Sequence, residues 1–243
     1  MRTDWSPLKW AMFLPFTLII AIGLVVMVAH GAGKKAPPKP PPPEKILFVG
    51  DSLSVGKFGE VMGDYLIRKY GRENVALYAS CGSSPENWLR DEPVYRTKCG
   101  YREMVPHRPL VMGDPMRHDT PKLEKLLEDF NPSIIFVQQG TNWMDRPLTD
   151  EKILSILDRF MGAVLKGGKR RILWIGPPDS SRFHNVQGRI YQLIKKAKRP
   201  GVSVVDSRRQ DRRYVIGKTG GDGIHYNSES STLWADWVIR QLK

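Results

Sequence analysis

The chain has 243 residues, 41% of them hydrophobic, and a formal net charge of +13. This allows one ordinary domain with a sizeable core, together with an appendage. The basic residues are dispersed and form no nucleic-acid-binding motif, so we expect no nucleic-acid partner. A solvated basic face or a contact with an anionic envelope polymer accounts for the charge. The two cysteines lack the spacing of a zinc site, and we predict no metal and no cofactor.

The N-terminal part of the chain differs in composition from the rest. After a short head, residues 1–9, the segment 10–29 carries no charge and is long enough to span a bilayer as a helix. We predict a retained anchor in a bacterial inner membrane, with the following domain in the periplasm. A cleaved signal peptide and a buried helix are the alternatives. The lysines after the span do not favour this orientation under the positive-inside rule. Residues 30–43 form a Pro-rich linker, and residues 44–243 the domain.

Within that domain, five apolar runs have the length and β-branched content of buried parallel strands. They cover residues 45–49, 74–79, 133–138, 171–175 and 202–206, and helical patterns cover 54–70, 121–130, 149–165, 182–198 and 228–242. The alternation predicts an α/β domain with a five-stranded parallel sheet, and the segment 91–120 is predicted as a loop beside the site. Because ligands of such sheets bind beyond the carboxyl ends of the strands, we expect the functional residues there.

The first strand ends on the small polar residues Gly50, Asp51 and Ser52. The spacing of a P-loop is absent, and Asp51 lacks a second carboxylate that would favour phosphate transfer to it. A serine at a strand-to-helix turn can direct its hydroxyl into the crevice, while the helix N-terminus directs free N–H groups towards a developing oxyanion. This position favours a nucleophilic serine.

A serine nucleophile needs a base. The sequence offers five histidines: His30, His107, His118, His184 and His225. His225 follows Asp222 by three positions in a loop after the fifth strand, so Asp222 can hold the imidazole tautomer; a plain surface turn is the alternative. Gly82 after the second strand and Asn142 after the third can donate hydrogen bonds to an oxyanion.

The order Gly-Asp-Ser-Leu, Gly82, Gly-Thr-Asn and Asp-x-x-His resembles the GDSL/SGNH hydrolase family over roughly residues 44–243. The hallmark positions correspond to Ser52, Gly82, Asn142 and His225, with Asp222 matching the acid. The resemblance implies a flavodoxin-like three-layer α/β/α sandwich and hydrolysis or transfer of ester-linked acyl groups without a metal. On this basis we predict Ser52 as the nucleophile, and an oxyanion hole formed by Ser52, Gly82 and Asn142.

Two neighbours of these residues carry further expectations. Trp143 stands where the family often has Asp, and we predict that it stacks on a sugar or lines an acyl pocket, with a packing role as the alternative. Cys81 and Cys99 can form a disulfide that would hold the loop of Gly82; two unpaired thiols are the alternative. Asp51 is predicted to support the turn, and Ser54 to help the following helix begin.

These features predict a membrane-tethered serine esterase that removes O-acetyl or other short acyl groups from a cell-envelope carbohydrate. The family also includes lysophospholipases, thioesterases and O-acyltransferases, so a lipid ester substrate and acyl transfer to a glycan stay open. From a different class, an inactive glycan-binding domain of the same fold is a further alternative.

Overall fold

A computed structural model describes residues 43–113, 118–183, 186–208 and 221–242. The predicted head, the anchor and all but the last residue of the linker lie outside these ranges, as does His184. Among the described residues, no helix is both long and apolar enough to cross a membrane. The predicted single-pass location in an inner membrane, with the domain in the periplasm, is therefore unsupported, and we withdraw it together with the membrane as a partner.

The described part of the chain forms a single mixed sheet with the strand order β4-β3-β2-β1-β5-β6-β7. The strands are β1 (Ile46–Gly50), β2 (Val75–Ser80), β3 (Tyr101–Met104), β4 (Val111–Gly113), β5 (Ile134–Gln138), β6 (Arg171–Ile175) and β7 (Val202–Val205). The five predicted strands are present and parallel, with β1 in the centre between β2 and β5. Strands in this position are covered on both faces, which is why they are continuous apolar runs in the sequence.

The sheet has seven strands rather than the predicted five, because β3 and β4 extend it with antiparallel pairs beside β2. The predicted loop over 91–120 is therefore wrong in part. The sequence of β3 lacks an apolar pattern because it contains two charged residues. In the structure, Arg102 donates to the Val55 carbonyl oxygen at 2.8 Å, and Glu103 accepts from the Tyr101 hydroxyl at 2.9 Å.

In the described ranges, the sheet is flanked by the α-helices α1 (Ser52–Val55), α2 (Lys57–Tyr70), α3 (Leu123–Phe130), α4 (Asp150–Leu165), α5 (Gln187–Ala197) and α6 (Ser228–Arg240). Successive residues of β1 alternate between two cores, since strand side chains point to opposite faces. Leu47 and Val49 pack with the layer of α3, α4 and α5, whereas Ile46 and Phe48 pack with α1, α2 and α6. The predicted three-layer arrangement is confirmed.

The predicted helix over 54–70 is two helices, because the chain is extended at Gly56, between α1 and α2. The two pack closely at Gly59, where an added Cβ would overlap the Ser54 carbonyl oxygen. This contact requires a residue without a side chain. It holds the short helix α1, which begins at Ser52, directly after the central strand.

Candidate active site

Three of the predicted site residues follow adjacent strands at one edge of the sheet. Gly50, the last residue of β1, is paired with Ala79 of β2 on one side and with Gln138 of β5 on the other. Since the three strands are parallel and end together, the turns that follow them lie side by side. These turns carry Ser52, Gly82 and Asn142.

The turn after β1 is held by Asp51, which is the N-cap of α1 and accepts a hydrogen bond from the Leu53 N–H at 3.0 Å. Its own N–H donates to the Gln138 carbonyl oxygen at 3.2 Å. Ser52 is half-buried, and neither its N–H nor its hydroxyl is hydrogen-bonded to any described residue. Both groups are therefore available to a bound molecule.

Asp51 is fully buried, and burial raises the pKa of its carboxyl from 3.8 to about 6. The hydrogen bond from Leu53 and the side chain of Thr141 act in the opposite direction. His225 and Gln138 also lower this pKa, and the effect of His225 is electrostatic. His225 is thus close enough to the turn after β1 to influence a carboxylate next to Ser52.

The turn after β2 places the backbone of Gly82 at the same edge. Its φ of +80° favours glycine, and an added Cβ would lie 2.5 Å from the Tyr95 hydroxyl, which donates to the Cys81 carbonyl oxygen at 3.2 Å. The Gly82 N–H has no hydrogen-bond partner within the described ranges. The predicted disulfide is present, and joins Cys81 to Cys99 with the two Cα atoms 5.4 Å apart.

The turn after β5 presents the side chain of Asn142. Its amide nitrogen donates to the Ser83 carbonyl oxygen at 2.8 Å, which fixes the side chain and leaves its second N–H for another acceptor. Trp143 has no exposed surface, and its indole N–H donates to Glu86 at 3.0 Å. The prediction that Trp143 stacks on a sugar or lines an acyl pocket is wrong; the ring packs in the core.

His225 and Asp222 form a close pair in the loop before α6. The Nδ1 of His225 lies 2.5 Å from one oxygen of Asp222, and the other oxygen accepts from the N–H groups of Ile224 and His225 at 2.8 and 2.9 Å. Partial burial disfavours the ionised carboxyl, but these hydrogen bonds outweigh it and lower the pKa of Asp222 to about 2. The two side chains are 42% and 41% exposed.

The loop of His225 is held against two other parts of the domain. The Ser180 hydroxyl donates to the Gly223 carbonyl oxygen at 2.6 Å, and the Tyr226 hydroxyl donates to Asp179 at 2.5 Å. The Tyr226 ring also packs edge-on against Trp234, which stacks on Phe58 of α2 with ring centroids 3.6 Å apart. This row of rings connects the loop to the helix that follows the Ser52 turn.

Ser52 and His225 are not hydrogen-bonded to each other in this structure, although both lie in described segments. Of the other described histidines, His118 stacks on Tyr101 at 4.7 Å and His107 lies in the turn between β3 and β4. Within the described residues, no group of three His, Cys, Asp or Glu side chains is placed to hold a metal ion.

Several residues that hold these turns were not predicted from the sequence. Gln138 and Thr141 surround Asp51, Tyr95 covers Gly82, and Ser180 and Tyr226 hold the loop of His225. Gln138 alone has a signal in the sequence, as a polar residue at the end of an apolar run. The remaining contacts are tertiary and leave no local pattern.

A groove of about 840 Å³ lies away from this edge, between the ends of α2 and α6 and the face of β5, β6 and β7. Its lining includes Lys69, Arg171 and Trp237 and none of the predicted catalytic residues. This groove is therefore separate from the polar turns.

No protein-family model matches the chain. A curated relative, the dihydropteroate synthase of Staphylococcus haemolyticus, is 26% identical over 129 residues, which is 49% of this chain and 48% of the relative. The chain thus spans about half the length of the curated relative that it matches. A likeness of this extent does not show a family.

Solved structures give a wider match. A mutant acetyl esterase with an acetate ion covers 82% of this chain and 96% of its own, with a TM-score of 0.57 at 10% identity. A carbohydrate esterase of family 3 from Talaromyces cellulolyticus has the same coverage, a TM-score of 0.51 and 12% identity. An esterase of a Pseudoalteromonas species, inhibited by monoethylphosphonate, also has this coverage, with a TM-score of 0.50 and 15% identity. At these identities the likeness shows a shared fold.

Proposed function

The chain has the GDSL/SGNH hydrolase fold, and from this premise we propose that it is a serine esterase with Ser52 as its nucleophile. The observation that carries the proposal is that the parallel strands β2, β1 and β5 end side by side. There, a serine with an unpartnered hydroxyl stands between two turns that offer hydrogen-bond donors. Ester hydrolysis needs such an arrangement, with a nucleophile that attacks the carbonyl carbon and hydrogen-bond donors around the carbonyl oxygen.

Three donors are available for the oxyanion. The N–H groups of Ser52 and Gly82 have no other partner within the described residues, and the Asn142 amide keeps one N–H free. Donors fixed in advance stabilise charge that develops only in the transition state, and they lower the barrier without reorganising during the reaction. Tyr95 and the disulfide at Cys81 support the Gly82 turn in this position.

His225 supplies the base in this proposal. The Asp222 carboxylate accepts the Nδ1–H, so the second ring nitrogen, Nε2, carries the lone pair that accepts the Ser52 proton. Because the pKa of Asp222 is about 2, this carboxylate stays ionised at neutral pH and stabilises the imidazolium that forms. In this proposal the half-exposed His225 side chain closes onto the Ser52 hydroxyl when substrate binds.

The reaction then follows two balanced steps. Ser52 Oγ bonds to the carbonyl carbon, the alkoxy group leaves, and the leaving oxygen takes its proton from His225. Water next attacks the acyl carbon and gives a proton to His225. The bond from that carbon to Ser52 Oγ then breaks, His225 returns the proton to Oγ, and the carboxylic acid leaves. Neither step requires a group other than the residues described and water.

The substrate that we propose is a carbohydrate carrying acetyl or other short acyl esters. Two of the structural relatives support this choice, since one is an acetyl esterase bound to acetate and another is a carbohydrate esterase. The predicted pair Asp222 and His225 is about 40% exposed. An exposed base suits an ester group on a large polymer better than a small molecule enclosed in a cavity.

The direct test is the hydrolysis of an aryl acetate and of an acetylated xylan by the full chain and by Ser52→Ala. We expect Ser52→Ala to lose turnover and covalent labelling by a fluorophosphonate while it keeps its melting temperature. Ser203→Ala, an exposed serine in β7, is the matched control and should behave like the unchanged chain. Full activity in Ser52→Ala would disprove the mechanism. A chain that hydrolyses neither ester and is not labelled would instead favour a binding domain.

A further inference from the structure

We propose that Asp51 is a positioning residue, whose ionised carboxylate joins the Ser52 turn to the Asn142 turn through Gln138 and Thr141. The proposal rests on the esterase function above and adds a part that the catalytic mechanism does not use. Asp51 touches no reacting atom in it. Its effect would pass through the two turns on either side.

The first support is the way Gln138 connects β1 with β5. Its carbonyl oxygen accepts from the Asp51 N–H at 3.2 Å, and its side-chain oxygen accepts from the Ser54 hydroxyl at 2.7 Å. Asp51 and Ser54, on either side of Ser52, are therefore both hydrogen-bonded to Gln138 at the end of β5. Gln138, Asp51 and Ser54 have no exposed surface, so water does not compete for these bonds.

The second support is a set of three unsatisfied polar atoms in the same place. Asp51 Oδ2, Gln138 Nε2 and Thr141 Oγ1 are buried, and none makes a hydrogen bond in this structure. The side chains of Gln138 and Thr141 nonetheless lower the pKa of Asp51, so the three groups are neighbours. One carboxylate acceptor and two donors are complementary, and buried polar groups strongly favour such pairing.

Thr141 directly precedes Asn142, and Asp51 directly precedes Ser52. Pairing of the Thr141 and Gln138 donors with the free Asp51 oxygen would therefore fix the distance between the proposed nucleophile and an oxyanion donor. A displacement of about 1 Å between reacting groups can cost on the order of 10²-fold in rate. This gives a buried carboxylate at this position a catalytic benefit.

The same carboxylate carries a cost in stability. Burial raises its pKa to about 6, so the folded chain binds this proton more tightly than the unfolded chain, whose ordinary value is 3.8. Its contribution to folding is highest below the unfolded value and is lost as pH rises towards 6. The residues of α1 and the facing residues of β5 do not titrate, and the charged group that acts on Asp51 is His225.

The test compares Asp51→Asn with the unchanged full chain on an aryl acetate, together with melting temperatures between pH 4 and 8. Because Asn keeps the cap to Leu53 but has no charge, we expect kcat to fall about ten- to a hundredfold with KM little changed. The melting temperature at pH 8 should not fall. The fall in rate towards acid pH that follows protonation of Asp51, whose pKa is about 6, should be absent in Asp51→Asn. Asp64→Asn, an exposed carboxylate of α2, is the control.

A second variant, Thr141→Val, tests the same bridge if Asp51→Asn does not fold. Removing this donor should raise the pKa of Asp51, so kcat should begin to fall at a higher pH on the acid side of its pH profile. The control Thr232→Val, on α6, should leave that pH unchanged. The inference would be overturned if kcat is unchanged in Asp51→Asn, or if this variant has a lower melting temperature at pH 8 than the unchanged chain. If Ser52→Ala is inactive in the same assays, such a failure concerns Asp51 alone and leaves the esterase function intact.

Discussion

Asp51 and Asp222 are two carboxylates of the proposed site, and their surroundings shift their pKa values in opposite directions. Asp51 lies between strands with no exposed surface, and burial raises its pKa to about 6. Asp222 is 41% exposed in a loop, where hydrogen bonds from His225 and two N–H groups lower its pKa to about 2. In the mechanism proposed above, this difference would keep a permanent anion beside the base and a titratable acid beside the nucleophile.

The two halves of the site also differ in what fixes them. The turn of Ser52 follows the central strand and is bonded to β5, so the whole sheet determines its position. The loop of His225 is fixed by side chains such as Ser180 and Tyr226, which bond to backbone carbonyls near the surface. Regions with fewer buried contacts open more readily, so we expect the loop to be the less stable half.

The largest effect should come from breaking the exposed pair. We expect Asp222→Asn to lower kcat by about 10⁴, because an amide no longer selects the tautomer of His225 or stabilises its cation. Asp145→Asn, an exposed carboxylate paired only weakly with Arg182, should keep full activity. Steady-state hydrolysis of an aryl acetate measures both. A loss below about tenfold in Asp222→Asn would show that another group orients the base.

On the buried side, Asn142→Ala should have the next largest effect. Removing one oxyanion donor costs about 10²–10³ in kcat, and KM should change little because the charge develops only in the transition state. Gln241→Ala, an exposed amide after α6, is the control. If Asn142→Ala raises KM and leaves kcat unchanged, the amide binds substrate and is not an oxyanion donor.

The features that could be predicted from the sequence are the strands of the sheet and the positions of the turns that follow them. Apolar runs located β1, β2 and β5, and the rule that ligands bind beyond parallel strand ends brought Ser52, Gly82 and Asn142 together. The identity of the disulfide followed from there being only two cysteines. For these features, local pattern and topology suffice.

The remaining features depend on contacts between distant segments. The pKa of Asp51 reflects Thr141 and Gln138, and the burial of Trp143 reflects a core that no spacing reveals. The strand β3 contains Arg102, whose charge argues against a strand until its distant partner, the Val55 carbonyl oxygen, is known. Sequence reasoning fails at these positions because polar residues are stabilised there by neighbours far along the chain.

The disulfide offers a smaller perturbation on the buried side. Replacing both Cys81 and Cys99 by serine should lower the free energy of unfolding by about 3 kcal/mol, since the bond closes a loop with a sequence separation of 18. Because Cys81 precedes Gly82, we also expect a loss of kcat. Denaturant unfolding and ester hydrolysis measure the two effects. A stability loss without any change in kcat would show that Tyr95 alone is enough to hold the Gly82 turn.

The smallest effect should come from loosening the exposed loop with Tyr226→Phe. This change removes the hydroxyl that donates to Asp179 at 2.5 Å and keeps the ring against Trp234. Losing one such hydrogen bond costs about 1 kcal/mol, and we expect faster amide exchange in residues 221–226 with only a few-fold loss of kcat. Tyr65→Phe, whose hydroxyl accepts from Lys69 on the exposed face of α2, is the matched control. If exchange rises equally in the Ser52 turn, the two halves of the site are fixed as one unit and differ only in exposure.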